Sequence, residues 1–321
     1  PDLNEALHDL LLTDDQSRPG LVTPQRSGAR VRRSQPERPI RLAVIDVDGT
    51  LVGSDGHVSD ETTEACRDAR AAGCLIMLAS GRSPQRLARL HAELELDTPV
   101  IACHGALIWD PVESKAVEEH RLDAATATTI VETARAAAPD IILGLEVAER
   151  WYLSDRPPAQ LAEELREPDA VGDITAWLDG GATRISILGR EEDVQAAMVA
   201  LEEALWADRR IAMYRMREEL LHVTHPDATK AAAAARFAAQ RGIDRSAVLA
   251  IGDGINDAAL IEWAGFGAAV ENAIDLIRDL ADVVVPAHAD HGVAVALREY
   301  VITPAATTAG ETPDAGSSTA S

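Results

Sequence analysis

The sequence has few aromatic residues and few cysteines. Aromatics make up 3% of the 321 residues although 46% are hydrophobic, so the core must be built mainly from Ala, Val, Leu and Ile. The three cysteines are an odd number without metal-like spacing, which argues against a disulfide framework or a zinc site. We interpret them as buried free thiols in a reducing compartment.

Basic residues are also in short supply, and the chain is strongly acidic. It contains 30 Lys and Arg against 53 Asp and Glu, a formal net charge of −23 at pH 7. Such a surface repels nucleic acids and anionic lipids, so we expect neither as a partner. By itself, the acidity is explained most simply by solubility.

Long apolar runs are missing too. None approaches the roughly 20 residues that a membrane-spanning helix needs. The leucines near the N-terminus are followed by Asp14, Asp15 and Arg18 rather than by a small-residue cleavage site, so no secretory signal is predicted. We therefore expect a cytoplasmic protein that does not bind membranes.

Strand-like and helix-like segments alternate between two ends of irregular composition. Residues 1–39 and 303–321 hold too little apolar surface to offset the entropy of ordering, and both are predicted to be disordered. The alternation between these ends predicts an α/β fold with a doubly wound, parallel, Rossmann-like sheet. The main predicted strands are 41–47, 74–79, 100–103, 247–251, 266–270 and 282–285.

The middle of the chain has a different pattern, in which short strands mix with helices at 124–137 and 191–206. This pattern predicts an α+β module inserted after the third strand. The predicted domains are a core of residues 40–111 and 223–302 and an inserted cap of residues 112–222. His222 and His225 would then flank the chain's return to the core, an interpretation we prefer to a metal site, which wants about four ligands.

Four polar clusters follow predicted strands or open a predicted helix. Ligands of open α/β sheets bind at the carboxyl ends of the strands, so these clusters are candidate site residues. In chain order the clusters are Asp46-Val47-Asp48-Gly49-Thr50, Ser80-Gly81-Arg82, Lys230, and Gly252-Asp253-Gly254-Ile255-Asn256-Asp257.

The first cluster pairs two carboxylates at the end of a strand. Residues i and i+2 of an extended segment share a face, so Asp46 and Asp48 are predicted to point at one ligand. One carboxylate can attack phosphorus while the other exchanges a proton with the leaving oxygen. Gly49 permits the tight turn that places both. Taken alone, the cluster could equally be a polar turn.

The other clusters have chemistry that suits a phosphate and a cation. The Ser80 hydroxyl and the free N–H groups at a helix start form an anion site, although an ordinary N-cap is the alternative. Lys230 is poorly placed for the helix dipole, which suggests an anionic partner such as a phosphate or the attacking carboxylate, although without context an isolated surface lysine is the simpler interpretation. Asp253 and Asp257, in a glycine-bracketed turn, suit a hard cation with oxygen ligands.

Together and in this order, the clusters resemble the haloacid dehalogenase-like (HAD) superfamily of phosphohydrolases. The runs 45–52 and 252–257 are similar to the family's patterns, and the match extends over about residues 40–302. The 150 residues between Ser80 and Lys230 leave room for a cap, a placement that resembles the Cof-like subgroup with a type-two cap. The resemblance implies a Mg²⁺-dependent phosphatase that hydrolyses a small phosphorylated metabolite, such as a sugar phosphate.

The resemblance also implies roles at the matching positions. Asp46 is the expected nucleophile, which forms an aspartyl-phosphate, and Asp48 is the expected general acid and base. The expected phosphate ligands are Ser80, Gly81, Lys230 and Asn256. The expected Mg²⁺ site consists of Asp46, the main-chain carbonyl of Asp48, Asp253 and Asp257, the last as a support for the metal's waters or for Lys230.

Two other activities stay open on the same residues. A phosphomutase would use Asp46 but return the phosphoryl group to the sugar, whereas a non-catalytic binding protein is expected to lack Asp46 or Asp48. The subgroup usually has Asn before Gly-Ala at the end of the third strand, and this chain has His104 there. No particular substrate is therefore carried over from the resemblance.

Overall fold

The computed structural model describes residues 32–53, 56–158, 167–206 and 208–303. The predicted disorder of residues 1–31 and 304–321 lies outside this part of the chain. For residues 32–39 the prediction is wrong, because this segment is tied to the core by polar contacts. The guanidinium of Arg33 donates to the carbonyl of Gly265 at 3.0 Å, and its main-chain N–H donates to Asp282 at 3.2 Å.

The described strands and helices follow the alternation predicted from the sequence. The strands are β1 (Leu42–Asp46), β2 (Leu75–Ala79), β3 (Val100–Ala102), β4 (Leu107–Asp110), β5 (Lys115–Glu119), β6 (Ile142–Val147), β7 (Arg150–Leu153), β8 (Ala170–Val171), β9 (Arg184–Leu188), β10 (Ala212–Arg217), β11 (Leu220–Thr224), β12 (Val248–Gly252), β13 (Phe266–Val270) and β14 (Val283–Val285). The α-helices are α1 (Asp60–Ala71), α2 (Pro84–Glu93), α3 (Ala124–Ala137), α4 (Glu191–Leu201), α5 (Lys230–Gln240), α6 (Ala258–Trp263), α7 (Asp275–Leu280) and α8 (Gly292–Leu297).

The larger sheet has the strand order β14-β13-β12-β1-β2-β3-β4-β5 in the described part of the chain. All pairs from β14 to β3 are parallel, which confirms the predicted α/β fold with a doubly wound parallel sheet. The edge formed by β4 and β5 is antiparallel and was not predicted. Strand β1 is buried along its whole length between β12 and β2, so its carboxyl end opens at the middle of the sheet.

Local sequence signals explain where α1 begins and why it faces the core. The side chain of Ser59 accepts a hydrogen bond from the N–H of Thr62 at 3.2 Å, the N-cap predicted from the sequence. Asp60 and Glu61 in the first turn suit the positive end of the helix dipole. The buried residues Ala65 and Ala69 lie four apart, so they share the face that packs on the core.

The inserted module is a second layer of structure with its own hydrophobic cluster. Its sheet has the order β10-β11-β9-β6-β7-β8, and α3 packs against α4. The predicted domain limits need two corrections, because strand pairing is not visible in local periodicity. Strand β5 pairs within the core sheet although the cap was predicted to begin at 112, and β11 pairs within the cap sheet although the core was predicted to resume at 223.

The chain therefore crosses between core and cap near His120 and again near His225, directly after β5 and β11. Among the described residues, no helix is both long and apolar enough to cross a membrane.

Candidate active site

Three of the four predicted clusters meet at one edge of the core sheet. Asp46 is the last residue of β1, Ser80 directly follows β2, and Asp253 directly follows β12. Because β12, β1 and β2 are parallel neighbours, their carboxyl ends open on the same crevice. The fourth cluster, Lys230, is the first residue of α5 and reaches this crevice with its side chain.

Lys230 forms a buried ion pair with two carboxylates. Its Nζ lies 2.5 Å from Oδ1 of Asp46 and 2.7 Å from Oδ1 of Asp257, and its side chain is 1% exposed. Burial alone would lower the pKa of Lys230, but Asp257 and Asp46 outweigh it and the net shift is upward. The ammonium thus has the anionic partners that its position at a helix start predicted.

The loop after β12 is organised by Asp257. Oδ2 of this side chain accepts hydrogen bonds from the N–H groups of Asp253, at 3.2 Å, and Gly254, at 3.1 Å. Thr50 donates to Oδ1 of Asp253 at 2.8 Å, which ties the loop after β1 to the loop after β12. Gly49 has φ +83° and faces the Asp253 carboxylate so closely that a Cβ would collide with it.

The residues present fit a divalent cation. One ligand oxygen from each of Asp46, Asp253 and Asp257 lies within 4.8 Å of the other two. When all three are ionised, these carboxylates exceed the ammonium of Lys230 by two negative charges in a largely buried space. Oxygen donors of this kind are those that Mg²⁺ prefers.

The raised pKa values of Asp46 and Asp253 support the fit of a cation to this site. Burial raises the pKa of Asp46 well above its ordinary value, the Asp257 charge adds to the effect, and Lys230 opposes it. Burial also raises the pKa of Asp253, against the hydrogen bond from Thr50. A cation bound here would favour the ionised forms of both groups.

Asp48 lies outside this carboxylate group, and its partners are on the β2 side of the crevice. Its side chain is 58% exposed and forms a forked ion pair with Arg82, with Nη2–Oδ1 at 2.5 Å and Nε–Oδ2 at 3.0 Å. Ser80 donates to Oδ2 of Asp48 at 3.4 Å. Because β1 ends at Asp46, strand alternation does not extend to Asp48, and the two carboxylates have different neighbours.

Arg82 is a site residue to which sequence analysis assigned no role. It belongs to the predicted cluster after β2, which is the signal that could have identified it. Ser80 is buried, and its Oγ accepts a hydrogen bond from the N–H of Arg82 at 3.1 Å. Ser83 is the N-cap residue directly before α2, and its side chain makes no capping hydrogen bond to the N–H groups of the first turn. Asn256 lies on the short turn Ile255–Asp257, and its phosphate contact stays a prediction.

A cavity of about 330 Å³ extends from this edge to the cap sheet. Core residues Asp48, Gly81 and Arg82 line one side, and its cap side includes Trp151 and Arg217. Four arginines and two acidic residues line the cavity in a chain whose net charge is −23. The cavity therefore offers an anionic compound a cationic and partly aromatic surrounding next to Asp48.

A second group of possible metal ligands lies where the chain crosses between core and cap. His120, His225 and Asp227 each offer an atom within 4.8 Å of the others. However, Nδ1 of His225 accepts the N–H of Asp227 at 3.1 Å, so this lone pair already serves the turn. The group is consistent with the sequence interpretation that His225 flanks the chain's return to the core.

Comparisons with known proteins agree with this fold and indicate the family. A model of the haloacid dehalogenase-like hydrolase family matches residues 43–297. The 5-amino-6-(5-phospho-D-ribitylamino)uracil phosphatase YcsE of Bacillus subtilis (strain 168) is 26% identical over 267 residues, which cover 82% of this chain and 96% of that protein.

Solved structures show the same architecture. A haloacid dehalogenase-like hydrolase from Bacteroides thetaiotaomicron superposes with a TM-score of 0.70 at 23% identity, and the match covers 81% of this chain and 98% of the other. A structure described as a HAD subclass IIB sugar phosphatase superposes with a TM-score of 0.66 at 18% identity and covers 80% and 98%. At these identities the two superpositions concern the fold.

Proposed function

Since this chain belongs to the haloacid dehalogenase-like hydrolases and is an enzyme of the phosphomonoester hydrolase type, we propose that it is a Mg²⁺-dependent phosphatase. It acts on a small phosphorylated metabolite through an aspartyl-phosphate on Asp46. The observation that carries the proposal is the buried contact of Asp46 with Lys230, beside Asp253 and Asp257. A nucleophilic carboxylate next to a fixed cation and a cation site suits attack on a phosphoryl group.

In the first half of the proposed reaction, a carboxylate oxygen of Asp46 attacks phosphorus and the bond to the leaving oxygen breaks. Asp48 gives its proton to that oxygen, so the metabolite leaves as an alcohol and Asp46 carries the phosphoryl group. In the second half, Asp48 takes a proton from a water molecule whose oxygen attacks phosphorus. Inorganic phosphate leaves, and Asp46 is restored as a carboxylate.

The surrounding residues hold charge and position during both steps. Lys230 neutralises negative charge on Asp46 and on the phosphoryl oxygens, while Ser80 and the N–H groups after β2 bind those oxygens. Asp46, Asp253, Asp257 and the Asp48 carbonyl would hold Mg²⁺, which supplies charge neutralisation of the phosphoryl group. The leaving group occupies the cavity between Asp48 and the cap sheet.

The proposed substrate class follows the cavity and the names of similar proteins. A cavity of about 330 Å³ has a size that suits a small metabolite, which supports the proposed substrate class. One relative is named for a phosphorylated ribitylaminouracil and one similar structure for sugar phosphates. Both names describe small phosphate monoesters of polyhydroxy compounds, and we propose the same class here.

The nucleophile is tested by Asp46→Asn, with the exposed residue change Asp68→Asn as the matched control. We expect kcat for phosphate release from a panel of sugar, nucleotide and cofactor phosphates to fall at least about a thousandfold in Asp46→Asn only. Rapid acid quenching of the wild-type enzyme, followed by mass spectrometry, should find the added phosphoryl group on Asp46. Full activity of Asp46→Asn, with deamidation excluded, would refute the proposal.

The same assay separates hydrolysis from phosphoryl transfer within the substrate. A mutase would yield an isomeric sugar phosphate without free phosphate, whereas the proposed phosphatase releases free phosphate in proportion to the alcohol formed. A binding protein would do neither.

A further inference from the structure

A buried hydrogen bond joins the core to the cap behind the Ser80–Arg82 loop after β2, which we call the phosphate-binding loop for its proposed role. Nε2 of His104, in the turn after β3, lies 3.0 Å from Nδ1 of His222, in cap strand β11. The two side chains belong to residues that are 1% and 8% exposed. Their contact is therefore shielded from the solvent that would otherwise compete for it.

The positions of the protons in this pair follow from a third side chain. Nη1 of Arg184, in cap strand β9, lies 3.3 Å from the same Nδ1 of His222. A guanidinium can only donate, so Nδ1 of His222 accepts, and Nε2 of His104 must be the protonated nitrogen that donates to it. The remaining nitrogen of His104, Nδ1, is buried and has no hydrogen-bond partner in the described part of the chain. Both rings are therefore neutral in this arrangement.

His104 is also fixed to the phosphate-binding loop. Its N–H donates to the carbonyl of Ser80 at 3.1 Å, and its ring lies so close to Gly81 that a Cβ there would collide with it. On its cap side the ring stacks on Tyr214 with centroids 4.1 Å apart and planes 5° apart. Arg184 adds a hydrogen bond to the Gly81 carbonyl. The position of the cap is thus transmitted to Ser80 and Gly81.

The charges around the pair oppose a further proton. The titratable and charged side chains that surround the two rings are Arg184, Glu146, Tyr214, Arg217, Lys230 and Cys103. Glu146 is paired with Arg184, with Oε2–Nε at 2.5 Å, and the same oxygen accepts from the Cys103 thiol at 3.5 Å; among the described residues, no hydrogen bond joins this carboxylate to either ring. Burial, followed by the Arg184 charge, lowers the pKa of both histidines. A proton on Nδ1 of His104 would have no acceptor, and one on Nδ1 of His222 would face two donors.

We propose that the His104–His222 hydrogen bond is a latch that holds the cap closed on the phosphate-binding loop while both imidazoles are neutral, and that it opens when either ring takes up a proton. In this proposal His104 and His222 are positioning residues that act through Ser80 and Gly81, although His222 also lines the cavity. The role in turnover rests on the proposed phosphatase function, whereas cap opening itself does not.

The direction of the pH effect follows from linkage. In the open state the rings meet water and titrate near the ordinary value of about 6.5. The closed state binds fewer protons, so closure is fully favoured above that pH and is progressively lost as the pH falls below it. Acidification therefore opens the cap.

The turnover test compares wild type with the double variant His104→Asn/His222→Gln. Asn tolerates the left-handed conformation that His104 adopts, with φ +60°. The amide side chains of Asn and Gln can form a hydrogen bond but do not titrate. With p-nitrophenyl phosphate and Mg²⁺, we expect log kcat/KM of the wild type to fall more steeply below pH 6.5 than that of the double variant. The additional slope should be about one for each proton taken up. The double variant should lack this additional acid limb. Parallel pH profiles would overturn the latch.

Two single variants test whether the His104–His222 hydrogen bond, and not misfolding of the variant, accounts for the change. His222→Ala, which removes the acceptor, should raise KM at pH 7.5 and accelerate hydrogen exchange of the β11 amides, and His222→Gln should reverse both changes. A rise in KM without faster exchange would mean that His222 acts only as a residue of the cavity wall. The matched control is His225→Gln, since this histidine lies three residues on and contacts His120 instead. A pH profile altered equally by His225→Gln would contradict the assignment. Circular dichroism at each pH identifies any variant that fails to fold.

A substrate-free measurement keeps the latch separate from the proposed function. Hydrogen exchange of the β11 amides, corrected for its intrinsic pH dependence, should accelerate between pH 7.5 and 5.5 in the wild type and not in the double variant. If no phosphate ester is hydrolysed but this difference is observed, the proposed function fails and the latch stands. Equal exchange in both proteins at both pH values means that there is no latch.

Discussion

The carboxylate group around Lys230 and the His104–His222 pair behind the Ser80–Arg82 loop are both buried and polar, yet their charges are balanced in opposite ways. The first brings three acids to one ammonium and retains negative charge that a divalent cation can neutralise. The second contains two neutral rings beside a cation and has no place for added positive charge. Burial makes both regions sensitive to a single charge, but to charges of opposite sign.

We expect the largest effect from Lys230→Met, which removes the only ammonium that contacts Asp46 and Asp257 among the described residues. The change leaves Asp46 and Asp257 buried without their counter-ion, so we expect kcat to fall at least about a thousandfold and the free energy of unfolding to fall by about 3–5 kcal/mol. Urea unfolding and phosphate release measure the two effects. The control is Lys115→Met, at an exposed ion pair with Glu113, which should change neither. Equal effects of the two variants would show that the buried pairing is unimportant.

Titration with Mg²⁺ tests the excess negative charge of the carboxylate group directly. Added Mg²⁺ should raise the melting temperature of the wild type, because it compensates the excess charge of the acid group only in the folded state. In Asp253→Asn we expect about 10–100-fold weaker activation by Mg²⁺, with the thermal shift reduced in parallel. An unchanged Mg²⁺ dependence in this variant would place the cation elsewhere.

The histidine pair predicts that the protein is less stable at acidic pH, which is the direction expected for buried neutral imidazoles. The unfolded chain binds protons near pH 6.5 and the folded chain resists them, so the free energy of unfolding should fall as the pH decreases below about 6.5. Each ring contributes up to about 1.4 kcal/mol per pH unit in that range. Denaturant unfolding of His104→Asn/His222→Gln should show a correspondingly smaller slope, with His225→Gln as the comparison.

The smallest expected effect is that of Arg82→Lys. Lysine keeps the positive charge beside Asp48 but cannot reproduce the forked contact of the guanidinium. Since Asp48 is largely exposed, we expect kcat/KM to fall only about fivefold, with stability unchanged. A loss as large as that of Lys230→Met would mean that Arg82 contacts the reacting atoms.

The comparison also separates what local sequence patterns can predict from what they cannot. Asp46, Ser80 and Asp253 were predicted as one site because each follows an apolar strand, and parallel strands bring their carboxyl ends together. The assignment of β5 and β11 to sheets was not predictable in this way, since strand pairing depends on distant residues. The contact of His104 with His222 joins positions 118 residues apart and has no local signal at all.

The amino-acid order alone determined the alternation of strands and helices, the place of the inserted module and the residues at the strand ends, because these depend on periodicity and on neighbours in the chain. Only the folded structure decided that Asp48 pairs with Arg82 and that two histidines link cap to core. Such contacts depend on how distant segments of the chain pack together in the folded state, which brings their side chains within hydrogen-bonding distance.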